Sequence, residues 1–139
     1  MRIDYFLDTN ILIYAALGRE TEEAKRKRAN EIILAGRFGI SGQVLAEFYT
    51  NVTRKISVPL SSAQAMTWIE RLCRQPCVPV DPPLVKLGIA IAERYRINYW
   101  DGAILAAAEA LGAEILYTED LNHGQMYGSV RAENPFLNL

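Results

Sequence analysis

Ile3-Asp4-Tyr5-Phe6-Leu7-Asp8-Thr9-Asn10 is the stretch whose reading decides the fold. It reads as a short apolar strand that stops on a carboxylate, and the apolar run Ile11-Leu12-Ile13-Tyr14-Ala15-Ala16 follows at once as a helix. An acid where a first strand turns into a helix stands where an open parallel sheet holds its ligand. The remainder of the chain must then supply further strands separated by helical crossovers.

It does so. Gly18 breaks the first helix, and the spacing predicts a helix from Thr21 to Ala35, with Thr21 as N-cap and Glu22 and Glu23 in the first turn. The run Lys25-Arg26-Lys27-Arg28 points all round that helix and reads as a solvated face. Gly36 ends it, Phe38-Gly39-Ile40-Ser41 makes a second strand, and Gln43 to about Ile56 is helical again. There Val44, Leu45, Phe48 and Val52 form an apolar stripe with Glu47, Asn51 and Arg54 along its border. Ser61 or Ser62 caps a helix to about Arg74, and Cys77-Val78-Pro79-Val80 is a third strand.

A helix from about Leu84 to Arg94 is apolar on most sides and is expected to be largely buried. Asn98 caps the next, which runs to Leu111 before Gly112. Its inward stripe is Trp100, Ile104, Leu105, Ala108 and Leu111, and Asp101 falls inside that stripe, a costly position for an unpartnered carboxylate. Glu114 to Thr118 is a fourth strand that ends on Glu119-Asp120, and the tail from Leu121 is loop-rich, with Val130 in a possible short edge strand. No repeat or linker divides the chain. The expected architecture is α/β: one domain over residues 1–139, with a parallel sheet of four to five short strands covered by helices on both faces.

Bulk properties agree and narrow the function classes. A chain of 139 residues, half of them hydrophobic and 22% charged, is ordinary globular material rather than disordered or fibrous. Fifteen Lys and Arg against 16 Asp and Glu leave a net charge of −1, so no global basic field advertises nucleic acid, and none excludes it. No apolar run is long enough to span a bilayer, and Asp4 and Asp8 interrupt any leader-like start, which predicts a cytoplasmic protein with no membrane partner. Cys73 and Cys77 lack a second Cys or His pair to complete a zinc site and are expected to be reduced, partly buried thiols.

Because parallel strands end on one rim, Asp8 and Asp120 should meet there, with Glu47 and Asp101 on helices whose first turns open at the same rim. Each acid alone has a plainer reading. Asp8 could cap a helix, Glu47 could pair with Arg54, Asp101 could complement a helix dipole and Asp120 could stabilise a turn. Together, four converging carboxylates repel and must protonate or bind cations. With only oxygen donors at hand, the matching ion is Mg²⁺ or Mn²⁺, which activates water and neutralises a phosphodiester. Thr9, Asn10 and Thr118 are placed to orient these carboxylates, or else to make local turn hydrogen bonds.

These residues resemble the PIN domain of VapC-type toxins. The likeness lies in Leu7-Asp8-Thr9-Asn10, in Ser41 with Val44-Leu45-Ala46-Glu47-Phe48-Tyr49, in Tyr99-Trp100-Asp101-x-x-Ile104 and in Tyr117-Thr118-Glu119-Asp120-Leu121. It extends to Asn122-His123-Gly124-Gln125 and Asn134-Pro135-Phe136, and so covers essentially the whole chain in order. The resemblance implies a metal-dependent endoribonuclease toxin whose acidic residues correspond to Asp8, Glu47, Asp101 and Asp120. It also implies a homodimer and a small antitoxin partner that inserts into the active-site groove. Asp120 ranks above Glu119 because it stands two places after Thr118 in the family pattern.

Two rival readings stay open. A phosphohydrolase of the haloacid-dehalogenase kind also places an Asp after its first strand, but wants a second Asp where this chain has Asn10. A catalytically silent PIN-like binding module would use the same acids to hold a structural ion or a basic peptide. The single histidine, His123, reads as a hydrogen-bonding surface residue before a general base. A polyanion needs positive charge at the rim, for which the candidates are Arg19, Arg54 and Lys55, followed by the 25–28 run, Arg94 and Arg96.

Overall fold

The computed structural model describes residues 3–17, 22–54 and 58–139. Among these, the chain order is β1 (Tyr5–Leu7), α1 (Thr9–Ala16), α2 (Glu23–Ala35), β2 (Phe38–Ser41), α3 (Gly42–Arg54), α4 (Ser62–Leu72), β3 (Cys77–Val78), α5 (Pro82–Tyr95), α6 (Tyr99–Ala110), β4 (Ile115–Tyr117), β5 (Met126–Tyr127) and β6 (Val130–Glu133). The expected alternation is present, and so are its stop signals. Asp8, Ser61, Asp81 and Asn98 each occupy an N-cap and accept a backbone N–H, and Ser61 forms a reciprocal capping box with Gln64. The predicted cap Thr21 lies outside the described residues; within them Glu22 holds the N-cap position of α2 without a side-chain bond.

One six-stranded sheet has the order β3-β2-β1-β4-β6-β5. Phe6 pairs with Gly39 on one side and Leu116 on the other, both parallel. From β1 the chain steps outward through β2 to β3, then returns across β1 to β4. With right-handed crossovers, that reversal puts α1 to α4 on one face and α5 and α6 on the other. The core lies between these layers, with Phe6, Leu7, Ile40, Phe48, Leu105 and Leu116 all essentially inaccessible.

Three expectations need correction. The sheet has six strands rather than four to five, and it is not wholly parallel, since β5 pairs antiparallel with β6. Val130 opens no edge strand: β6 lies inside the sheet, parallel to β4, with Leu116 opposite Ala132. Finally, α5 is not largely buried. Only Leu84 and Gly88 are enclosed, Ile89 is 49% exposed, and α5 packs chiefly on α6. Of the two cysteines, both are free thiols; Cys73 is exposed and Cys77 half-buried. No helix among the described residues is long and apolar enough to cross a membrane.

Candidate functional site

The reversal of strand order falls between β1 and β4, and the crevice at such a reversal is where doubly wound sheets hold ligands. Leu7 and Tyr117 are in register, so the next residues, Asp8 and Thr118, leave the sheet side by side. The Asp8 N–H donates to the Tyr117 carbonyl at 3.0 Å. Its carboxylate is almost wholly buried and takes two hydrogen bonds, from Thr9 N–H at 2.7 Å and from the Thr118 hydroxyl at 2.6 Å. Asp8 therefore caps α1, as its plainer reading expects, but the cap uses only one oxygen.

The other acids are also held by neighbours. Thr9 Oγ1 donates to Glu47 Oε1 at 2.6 Å, and Gln43, one turn earlier in α3, reaches Glu47 Oε2 at 3.4 Å and the Trp100 carbonyl at 3.2 Å. Glu47 forms no ion pair with Arg54 among the described residues, and Arg54 is exposed at the end of α3. Asn98 Nδ2 donates to Asp101 Oδ2 at 2.9 Å while the Asp101 N–H caps back onto Asn98. Asp120 takes a long contact from Asn10 Nδ2, 3.4 Å, and its N–H is fixed by Thr118 Oγ1 at 3.0 Å. Thr9, Asn10 and Thr118 each thus touch a carboxylate.

Glu119 is differently placed. Its carboxylate pairs with Lys25 at 2.7 Å and accepts from the Tyr14 hydroxyl at 2.6 Å. Lys25 also lies over the Tyr14 and Phe136 rings, so the basic run is not a uniformly solvated face. His123 is exposed and accepts from the Asn134 N–H at 3.0 Å, pinning the tail. Arg19 and Lys55 lie outside the described residues.

Asp8, Glu47, Asp101 and Asp120 line one open cavity of about 420 Å³, with Glu119, Asn10, Gln43 and Trp100 also on its walls. No Lys or Arg lines it among the described residues. Burial pushes Asp8 up to about 7; the Thr118 hydrogen bond opposes this, and repulsion from Asp120 and Asp101 adds to it. Burial raises Asp101 as well, reinforced by Asp120 and Glu47 and opposed by Asn98. Asn10 Oδ1 is buried with no hydrogen-bond partner.

No three acidic, His or Cys side chains among the described residues are gathered closely enough to clasp one ion by themselves. All donors are oxygen, and they are spread round a cavity rather than packed into a cage. That suits a hard cation that keeps several waters and takes one or two carboxylates directly, as Mg²⁺ does; it does not suit a fully protein-ligated Ca²⁺ or Zn²⁺. The residue reading missed Gln43 and misplaced Trp100. Gln43 stands four residues before Glu47, the spacing at which helix side chains meet, which was a usable signal.

The chain is similar in fold to several solved structures. A toxin–antitoxin complex from Klebsiella pneumoniae superposes with a TM-score of 0.71 at 19% identity, covering 96% of this chain and 98% of the other. The Mycobacterium tuberculosis toxin VapC20, described as cleaving the sarcin–ricin loop, gives 0.66 at 20% identity over 84% and 90%. A DNA-bound VapBC from Salmonella typhimurium gives 0.64 at 22% over 96% and 98%. No curated protein sequence matches. The model of the PIN domain family matches residues 5–128, which span β1 to β5 and all four acids, so the chain belongs to the PIN domain family.

Proposed function

We propose that this chain, acting as one PIN domain over residues 1–139, is a divalent-cation-dependent endoribonuclease and the toxin of a toxin–antitoxin pair. The observation that carries the reading is the buried Asp8 carboxylate, held at the strand-order reversal with Asp101, Asp120 and Glu47 lining the same cavity. Such an array costs folding energy and is retained where cations offset it. Asp8, Asp101, Asp120 and Glu47 would hold Mg²⁺ or Mn²⁺. When bound, that cation supplies acidified water and charge neutralisation at a phosphodiester.

The chain's own residues perform the remaining tasks. Thr118 and Thr9 fix both oxygens of Asp8, Thr9 and Gln43 fix Glu47, and Asn98 fixes Asp101, so the acids face the cavity without rearranging. Burial pushes Asp8 up to about 7, so near neutral pH it stands between its protonated and ionised forms, and a cation held there would favour the ionised one. With no cation on the cavity wall, RNA must be drawn in by groups outside it, among which Arg54 is a described candidate and Arg19 and Lys55 are candidates by sequence. The toxin–antitoxin and VapBC assemblies among the structural neighbours support a small cognate antitoxin as partner, and the family resemblance supports a homodimer; a cytoplasmic location is proposed from the sequence alone.

The test is RNA cleavage by purified, antitoxin-free protein with Mg²⁺ or Mn²⁺, compared with Asp8→Asn and Asp101→Asn. Cleavage should need the cation and fall at least about 100-fold in either variant. A panel of structured and unstructured RNAs left intact by the folded wild type would sink the nuclease reading and favour the silent binding module.

A further inference from the structure

Beside the acid cavity, and continuous with it, runs a second groove of about 440 Å³. Gln43, Glu47, Thr50 and Trp100 belong to both walls, and Gly42, Ala46, Val80 and Tyr99 complete the groove. Its character changes abruptly from that of its neighbour. Apart from Glu47, already bonded by Thr9 and Gln43, its lining carries no charge. Trp100 is 61% exposed although it directly precedes Asp101, and its ring meets Tyr99 edge-on at 5.0 Å and 70°. Val80, across the groove, is 54% exposed. A bare indole next to an acidic site contributes nothing to the core, and it offers a flat π face at the place where a bound strand would pass.

We propose that this groove is a stacking site for one unpaired nucleobase adjoining the phosphate that is cut, with the Trp100 indole as its platform. The inference rests on the ribonuclease reading above and deepens it. A phosphate has no reason to enter, because the groove lacks cations and contains a carboxylate. A nucleobase does: it is planar and neutral, its faces are weakly hydrated, and its polar edge can meet the Gln43 amide and the Thr50 hydroxyl. The volume accommodates a base with its sugar. Continuity with the acid cavity through Trp100 puts the base one nucleotide from the reacting phosphate. A base paired in a duplex cannot present its face, so the site selects single-stranded or bulged RNA.

The test measures KM and kcat on a short single-stranded RNA that the wild type cleaves, and on copies lacking one base on either side of the cut. Wild type, Trp100→Leu and Trp100→Phe are compared. Removing the base on one side should raise the wild-type KM about tenfold, the effect of losing one stacked base. Trp100→Leu should raise KM on the intact RNA by a similar factor, with kcat little changed, and be indifferent to base removal; Trp100→Phe should retain most of the affinity. A merely structural role would lower stability without erasing sensitivity to the missing base. Should Trp100→Leu fail to fold, Trp68→Phe leaves Trp100 as the single tryptophan, whose emission should be quenched by intact RNA and not by the abasic copy. An undiminished abasic penalty in Trp100→Leu, or unquenched emission with RNA bound, overturns the stacking site while leaving the nuclease intact. If base removal is without effect and Trp100→Leu abolishes capture of a protein partner instead, the groove is a peptide site and the inference is wrong. A wild type that cleaves no RNA takes the parent reading down first, so the two failures are distinct.

Discussion

Asp8 is asked to cap a helix and to sit among like charges, and the two demands conflict. As a cap it benefits from ionisation, because Thr9 N–H and Thr118 both donate to it; as a buried acid facing Asp101 and Asp120 it is better neutral. The second demand wins, since its pKa is pushed up from an ordinary 3.8 to about 7. In the window between those values the folded state binds more protons than the unfolded one. Stability contributed by this group is therefore full below about pH 4 and lost as pH rises through 7. Three units correspond to at most about 4 kcal/mol. In metal-free buffer Asp8→Asn should accordingly flatten that slope and raise stability at pH 7.5 by about 2–4 kcal/mol, because Asn Oδ1 still accepts from Thr9. Denaturant midpoints across pH 4.5 to 8, taken as about six points, decide it; a variant less stable than wild type at pH 7.5 would show that the cap dominates. Residue chemistry made Asp8 legible as a candidate site residue, because strand end, helix start and acid are all local. The choice between Glu119 and Asp120 was not legible from the residues. It turns on Lys25, 94 positions from Glu119, and only folding reveals that Glu119 is already paired.

Elements carry the clearest contrast between what the chain advertises and what packing decides. Caps and breaks are short-range chemistry, and Asn98, the serines at 61 and 62 and Gly112 mark element ends close to where they occur. Strand pairing is long-range, so β6 could not be placed inside the sheet from its own four residues. The misreading of Trp100 has a geometric cause. A wheel puts it on the stripe with Ile104, but the first turn of α6 projects past the carboxyl ends of the strands, so the same face that is core farther along opens on the cavity there. The burial of α5 was overestimated because apolar composition does not say how many neighbours a helix has. Its one close neighbour is α6, and the contact is set by Gly88 and Gly102. A Cβ on Gly102 would meet the Gly88 carbonyl oxygen at 2.6 Å and the Ala92 N at 3.0 Å, backbone atoms that cannot swing away. Helix propensity alone predicts that Gly102→Ala gains about 1 kcal/mol. Overpacking predicts a loss of about 1–3 kcal/mol, and we expect the loss, read as a lower urea midpoint with unchanged m-value. Because Gly102 adjoins Asp101, divalent affinity should weaken with it. A stabilised variant would mean that α5 and α6 do not approach as closely as described.

At the scale of the molecule, near-neutrality hides a strong separation of charge. The net charge is −1, yet five carboxylates, Glu119 included, line one cavity on whose walls no Lys or Arg stands among the described residues. Each acid is held in place by neutral donors such as Thr9, Thr118, Gln43 and Asn98, which fix geometry without cancelling charge. Lys25 is the exception, and it is spent on Glu119, the acid that stands next to the cluster in sequence. The fold therefore leaves a deficit that a divalent cation can offset and a monovalent one, binding weakly, cannot. A ligand bound only by the folded state stabilises it by mass action. At ten times its dissociation constant that is about 1.4 kcal/mol, or a rise in Tm of about 4–6 °C for a chain of this size. The shift should be larger at pH 8 than at pH 5, because at the lower pH a cation must first displace the proton on Asp8. It should disappear in Asp120→Asn and survive in Glu119→Gln, whose carboxylate is committed to Lys25 and Tyr14 and whose replacement lowers baseline stability instead. Thermal scans in Mg²⁺ or Mn²⁺ against NaCl of equal ionic strength separate specific occupancy from screening. Equal shifts in both salts would mean screening and no specific cation site, whereas a shift lost in Glu119→Gln and kept in Asp120→Asn would reassign the cation from the Asp8 cluster to the Lys25 side of the rim.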